Sequence, residues 1–348
     1  MINTADIEKV VALTLASGYV EGEKPVSLML VSDRPESGKT EIVKQFSKIP
    51  NIAIVNDMTA FAMWRDFGSA IAKGDIKHFI MPEFLAPISR KSTVDSFIAT
   101  LQMMIEEGLT EIHTGFLEPI KFDSPKVIGV IVCMPRNTFK GNRLNWDISG
   151  FLSRFVLATY KYNDDTVKKI FDSIFNQEYL QETKQPLKFK TASITIPKSI
   201  RAKCLSMAVE ITKQARKDGK CYGFRELKNI IRFVASMVIL DNANGATRHE
   251  ANEADFEEVA RLSYLFNEEF NSLREEESQA KNKSKLLAPR PEPAPKPIPE
   301  HDDTDDNSEF TRMESEFTHR GMIQSAADKL GTTAKAKEGE ANKIKEEK

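Results

Sequence analysis

Residues 4–18, TADIEKVVALTLASG, carry apolar side chains at three- and four-residue spacing, which predicts an amphipathic helix ended by Gly18. VSLMLV (26–31) is a short continuous apolar run followed by turn residues, the pattern of a strand buried on both faces. EIVKQFSKI (41–49) has helical spacing. NIAIVND (51–57) predicts a second strand, and AFAMWRDFGSAIAKG (60–74) a helix stopped by Gly74. IKHFIM (76–81) predicts a third strand, TVDSFIATLQMMIEEG (93–108) a helix and VIGVIVCM (127–134) another buried strand. Between these last two, LTEIHTGFLEPIKF (109–122) alternates around a Gly, as a β-hairpin does. Strands alternating with helices imply an α/β domain with a mainly parallel sheet.

The texture changes near residue 163. DTVKKIFDSIFNQ, SIRAKCLSMAVEITKQARK, RELKNIIRFVASMVILDN and ADFEEVARLSYLFNEEFNSLR are all helical by period, which predicts a second, helical domain over 163–274. Beyond it APRPEPAPKPIPE (288–300) places Pro at alternate positions, a polyproline-type spacer, and charged residues follow. Residues 275–348 are expected to be a largely disordered tail, with a transient helix without a partner at 310–330 preferred over one that forms on a protein partner.

Composition narrows the function classes. A chain of 348 residues, 41% apolar and 29% charged, can bury a real core, and a formal net charge of −2 argues against a whole-surface polyanion binder. Cys133, Cys204 and Cys221 are widely spaced and lack metal-site pattern, so they read as core thiols in a reducing compartment. The first residues lack the basic region of a secretory signal, and no run reaches bilayer-spanning length. A cytoplasmic protein without membrane partners is expected.

The chemistry centres on VSDRPESGKTEI (31–42). Gly38, Lys39 and Thr40 stand between a buried strand and a helix, where a phosphate-binding loop must be. In such a loop backbone N–H groups receive the anion, Lys39 reaches the β- and γ-phosphates of ATP, and Thr40 ligates Mg²⁺. Asp33 stands where the full pattern has Gly, and Arg34, Pro35, Glu36 and Ser37 fill the loop. No zinc site or Ser-His-Asp arrangement appears. His78 is expected to pack or cap, and Trp64 and Trp146 to fill core or interface. PRNTFKGNRLNW (135–146), with Arg136, Lys140 and Arg143, reads as a Gly- and Asn-rich loop facing solvent, with contact to DNA phosphates or a subunit interface as the alternative.

Over residues 3–268 the order of parts resembles the AAA+ ATPases, in particular the clade of the MCM helicases and magnesium-chelatase-type motors. The phosphate loop is the first match. IKHFIMPEFLAPI stands where that family has a strand ending in Asp-Glu; here the pair is Pro82-Glu83, so Glu83 takes either the water-activating or the metal-holding role. EEGLTEIHTGFLEPIKF resembles the hairpin inserted before the sensor-1 strand, with Lys121 as its basic residue. Met134 falls at the sensor-1 place and Asn137 three residues on. ISGFLSRFVLATY (148–160) resembles the Leu-Ser-Arg-Phe segment whose arginine enters the neighbouring subunit's ATP site, which makes Arg154 the candidate finger. GFRELKNIIRFVASMVILDN (223–242) resembles the lid helix whose early arginine, here Arg225, contacts the γ-phosphate.

The resemblance implies an AAA+ core over 1–162, built as a P-loop parallel sheet flanked by helices, and an α-helical lid over 163–274. It implies ATP and Mg²⁺ as cofactors and a hexameric homo-oligomeric ring acting on DNA as a motor or loader. Two alternatives stay open: a hydrolysis-impaired nucleotide switch or scaffold assembling with a protein partner, and a protein-remodelling ATPase.

Overall fold

Seven strands, numbered in chain order, occur among the described residues: β1 (Leu28–Ser32), β2 (Ile52–Ile54), β3 (His78–Met81), β4 (Leu109–Thr114), β5 (Leu117–Lys126), β6 (Gly129–Pro135) and β7 (Val156–Tyr160). The computed structural model describes residues 4–32, 36–114, 117–160, 162, 164–176, 187–217 and 221–266. The expected disordered tail at 275–348, with the helix at 310–330, lies outside them. Five strands form one parallel sheet in the order β2-β3-β6-β1-β7, and β4 and β5 form a separate antiparallel hairpin. The α/β expectation holds at this level.

Helices cover both faces. They are α1 (Ala5–Ser17), α2 (Lys39–Lys44), α3 (Ala60–Lys73), α4 (Leu85–Ile88), α5 (Val94–Gln102), α6 (Arg136–Ile148), α7 (Asp164–Phe175), α8 (Lys198–Lys217), α9 (Phe224–Ala243) and α10 (Glu253–Leu262). Alternate residues of each strand enter different cores, as a period of two dictates. Leu28, Leu30, Ile80, Ile131 and Cys133 join α1, α2 and the helices α8–α10 in one cluster. Met29, Val31, Phe79, Met81 and Val132 join α3, α5 and α6 in the other. The C-terminal helices therefore share a core with the N-terminal helix, α9 lying along α1. The hairpin rests on α3, where Gly68 leaves room for Ile120: a Cβ there would lie 2.4 Å from Ile120 Cδ1.

Two local outcomes bear on the site. PRNTFKGNRLNW, expected as a loop, is largely helix α6, because Phe139 and Trp146, two turns apart, are buried. Trp146 packs on Phe84 and Phe151 at ring centroid distances of 6.2 and 5.5 Å, and that packing overrides a polar composition. His78, at the start of β3, is wholly buried, with Nε2 3.2 Å from the Val26 carbonyl oxygen. Burial pulls its pKa down to about 4, so the ring is neutral in the fold. Gly129 on the neighbouring strand makes its space, since a Cβ there would lie 2.2 Å from His78 Nε2.

Candidate functional site

All five strands of a parallel sheet end at one edge, and ligands of such sheets bind outside those carboxyl ends. β1 ends there at Ser32, with Pro135 of β6 on one side and Tyr160 of β7 on the other. The chain then turns through the loop into α2. Of the loop residues singled out from sequence, Asp33, Arg34 and Pro35 lie outside the described residues. Glu36 and Gly38 are both left-handed, with φ of 63° and 74°. Glycine adopts that conformation freely, whereas for Glu36 it costs on the order of 1–3 kcal/mol.

Lys39 folds back over this loop. Its ammonium donates to Ser32 Oγ and, at 3.2 Å, to Ser37 Oγ. Burial lowers the Lys39 pKa, a pull that Cys133 and Glu83 oppose. A partly desolvated cation is less stable than a hydrated one, and an arriving anion would relieve it. α2 is only six residues long, shorter than the expected 41–49 helix, so the charge of Lys39 rather than a helix dipole dominates here.

Thr40 and Glu83 meet although they are 43 residues apart in the chain. Thr40 Oγ1 donates to Glu83 Oε1 at 3.4 Å, Glu83 standing exposed in the turn after β3. A hydroxyl and a carboxylate are hard oxygen ligands, and adjacent ligands of an octahedral Mg²⁺ with bonds of about 2.1 Å lie roughly 3.0 Å apart. The pair fits such an ion after a shift of about half an ångström, with water and phosphate oxygens completing the shell. Among the described residues no group of three or more His, Cys, Asp or Glu side chains gathers to hold a metal ion. At the same edge Met134 is buried, whereas Asn137 is exposed in the first turn of α6.

Two residues of this edge escaped the sequence reading. Tyr160 and Tyr162 both donate to the Ser37 carbonyl, at 2.6 and 2.7 Å. Their sequence signal is a Tyr-x-Tyr pair: Tyr160 closes the apolar segment around Arg154, and Tyr162 lies two residues beyond it.

Arg154 and Arg225 are brought together, but away from Lys39. Arg154 precedes Val156, where β7 begins, so it sits at the amino edge of the sheet. The four steps from Val156 to Tyr160 span roughly 13 Å at about 3.3 Å per residue. Arg154 donates to the Gly150 carbonyl at 2.6 Å and pairs with Glu107 at 3.2 Å. Arg225 donates to Ser153 Oγ at 2.6 Å and pairs with Glu106 at 3.4 Å. Lys24, Lys228 and Arg232 line the same recess. Arg154 Nε is buried there and, among the described residues, has no hydrogen-bond partner. Glu106 lines the recess as well, and Glu106 and Glu107 neutralise much of its charge, so it is a filled ion-pair cluster at the sheet edge opposite Lys39. On the hairpin, Lys121 is exposed and pairs with Glu111 at 3.5 Å.

No protein-family model matches this chain, and no curated protein matches it.

Proposed function

We propose that this chain binds ATP with Mg²⁺ at the carboxyl edge of its parallel sheet, and that it is an ATPase of AAA+ type. One observation carries the reading: the Lys39 ammonium, the Thr40 hydroxyl and the Glu83 carboxylate converge at the end of β1, although Glu83 comes from another strand. Lys39 would neutralise the β- and γ-phosphates, and Thr40 and Glu83 would hold Mg²⁺, which stabilises charge on the transferred phosphoryl group. Glu83 can alternatively orient the attacking water.

The recess of Arg154 and Arg225 supports a ring. About 13 Å of sheet separates it from the carboxyl edge, which keeps its arginines from the chain's own nucleotide; in a ring they would serve that of an adjacent copy once released from Glu106 and Glu107. An arginine supplied in this way couples hydrolysis to assembly. The sheet flanked by helices, the hairpin before β6 and the C-terminal helices agree with a core-and-lid ATPase of the hairpin clade. DNA as the substrate, and a role as motor or loader, rest on that resemblance. Pro82 where the family has Asp favours a second reading, a switch that binds ATP without turning it over.

The test is steady-state phosphate release with Mg²⁺ and ATP, with and without DNA, for the wild type beside Lys39→Ala, Glu83→Gln and Arg154→Ala. Activity lost in all three, with ADP affinity kept in Arg154→Ala, supports the trans-acting ATPase. ADP binding without turnover in the wild type promotes the switch. A wild type that binds neither ADP nor ATP refutes the nucleotide reading.

A further inference from the structure

The Ser37 carbonyl accepts hydrogen bonds from two phenols, Tyr160 at 2.6 Å and Tyr162 at 2.7 Å. A carbonyl oxygen has two lone pairs, and both are used. The peptide linking Ser37 to Gly38 is trans, so its C=O and N–H point in opposite directions. Tyr160 ends β7, on one side of β1, while β6, β3 and Glu83 lie on the other. With its carbonyl drawn toward β7, this peptide turns the Gly38 N–H toward the side where Thr40 and Glu83 meet.

We propose that Tyr160 and Tyr162 are positioning residues that hold the Ser37–Gly38 peptide with its N–H directed into the phosphate site, presenting a fixed donor to a nucleoside di- or triphosphate. This rests on the nucleotide reading of the loop. The clamp has a physical reason to exist. Gly38 has no Cβ to resist rotation of the peptide before it, and Glu36 occupies a left-handed conformation that a carboxylate side chain does not favour. Left to itself, such a loop would sample several peptide orientations. Two donors on one acceptor select one of them before the ligand arrives, which lowers the ordering cost of binding. Both hydroxyls are suited to remain donors: burial first, and for Tyr160 also the neighbouring Tyr162, raises their pKa values and keeps them protonated. The rings lie 5.5 Å apart, so the two phenols act as a unit on one oxygen.

The experiment uses the full chain, with Tyr160→Phe, Tyr162→Phe and the double variant. Affinities for ADP and for inorganic pyrophosphate are measured by calorimetry with Mg²⁺, beside the unfolding temperature of each ligand-free protein. Loss of an aligned hydrogen bond to a charged phosphate predicts that the double variant binds both ligands at least about tenfold more weakly. The loss should be the same factor for the two, because it acts on phosphate. The unfolding temperature of the double variant should move by no more than about 8 °C, the effect of two lost neutral hydrogen bonds in a domain of this size, and that of each single variant by about half as much. Each single variant should show a smaller loss in the same sense, and the singles carry the test if the double variant does not fold. Unchanged affinity in the double variant overturns the proposal, as does a fall in unfolding temperature without any change in affinity. If the wild type binds neither ligand, the nucleotide reading fails and the proposal fails with it.

Discussion

Replacing His78 by Asn should remove a specific acid weakness of the fold. The imidazole is wholly buried and its pKa is depressed to about 4, chiefly by that burial, with the adjacent Lys77 acting in the same direction and the Val26 carbonyl against it. In the unfolded chain the same group titrates near 6.5. Above pH 7 both states leave the ring neutral and it adds no pH dependence. As pH falls below about 6.5 the unfolded state takes up a proton that the folded state refuses, so stability drops until about pH 4, where the folded state also protonates. The full gap is worth about 3 kcal/mol, and the part between pH 7 and pH 5 is about 2 kcal/mol. That upper window largely precedes carboxylate titration, including that of Glu258, whose pKa is held down to about 2, first by Arg261. The assay is urea unfolding at pH 7 and pH 5. Wild type should lose about 2 kcal/mol more than His78→Asn across that interval. Equal losses would refute the claim that burial of this ring sets the acid sensitivity.

Gly129→Ala should destabilise by at least about 1–3 kcal/mol in a denaturant titration, because its methyl would lie 2.2 Å from His78 Nε2 within a strand bonded on both sides. His78→Ala in the same chain should relieve part of that loss but not all, since the Val26 carbonyl oxygen would still be 2.9 Å from the new Cβ. Arg248→Met should cost about 3 kcal/mol, read from the same curves, by stripping the buried Asp255 carboxylate of its two arginine bonds at 2.9 Å. Among the described residues Asp255 would keep the Asn252 backbone N–H at 2.7 Å, so loss of helical signal should begin at α10.

The strands that sequence reveals best are those buried on both faces. Around 26–31, 76–81 and 127–134 a continuous apolar run leaves little ambiguity, and β1, β3 and β6 fall within about two residues of the expected bounds. β7 was missed as a strand because VLATY is short and half polar, and its place beside β1 is decided by pairing that no local pattern records. α6 was missed because its residues are poor helix formers and only Phe139 and Trp146 anchor it. At the site, the Lys39–Thr40 signature is local and therefore legible, and its approach to Glu83 was expected from the order of parts. The tyrosine clamp and the shared recess of Arg154 and Arg225 depend on contacts spanning 123 and 72 residues, which spacing does not encode.

β7 has one further consequence. Its upstream end adjoins Arg154, and its last residue grips the loop carbonyl in front of Lys39. Hydrogen bonds to β1 fix its register over all five residues, so it is stiff along its length. Such a strand is a tie-rod that links the arginine end to Ser37 through Tyr160. In the proposed ring, a push from a neighbouring copy on one edge of the sheet would be felt as a change in aim of a single peptide at the other.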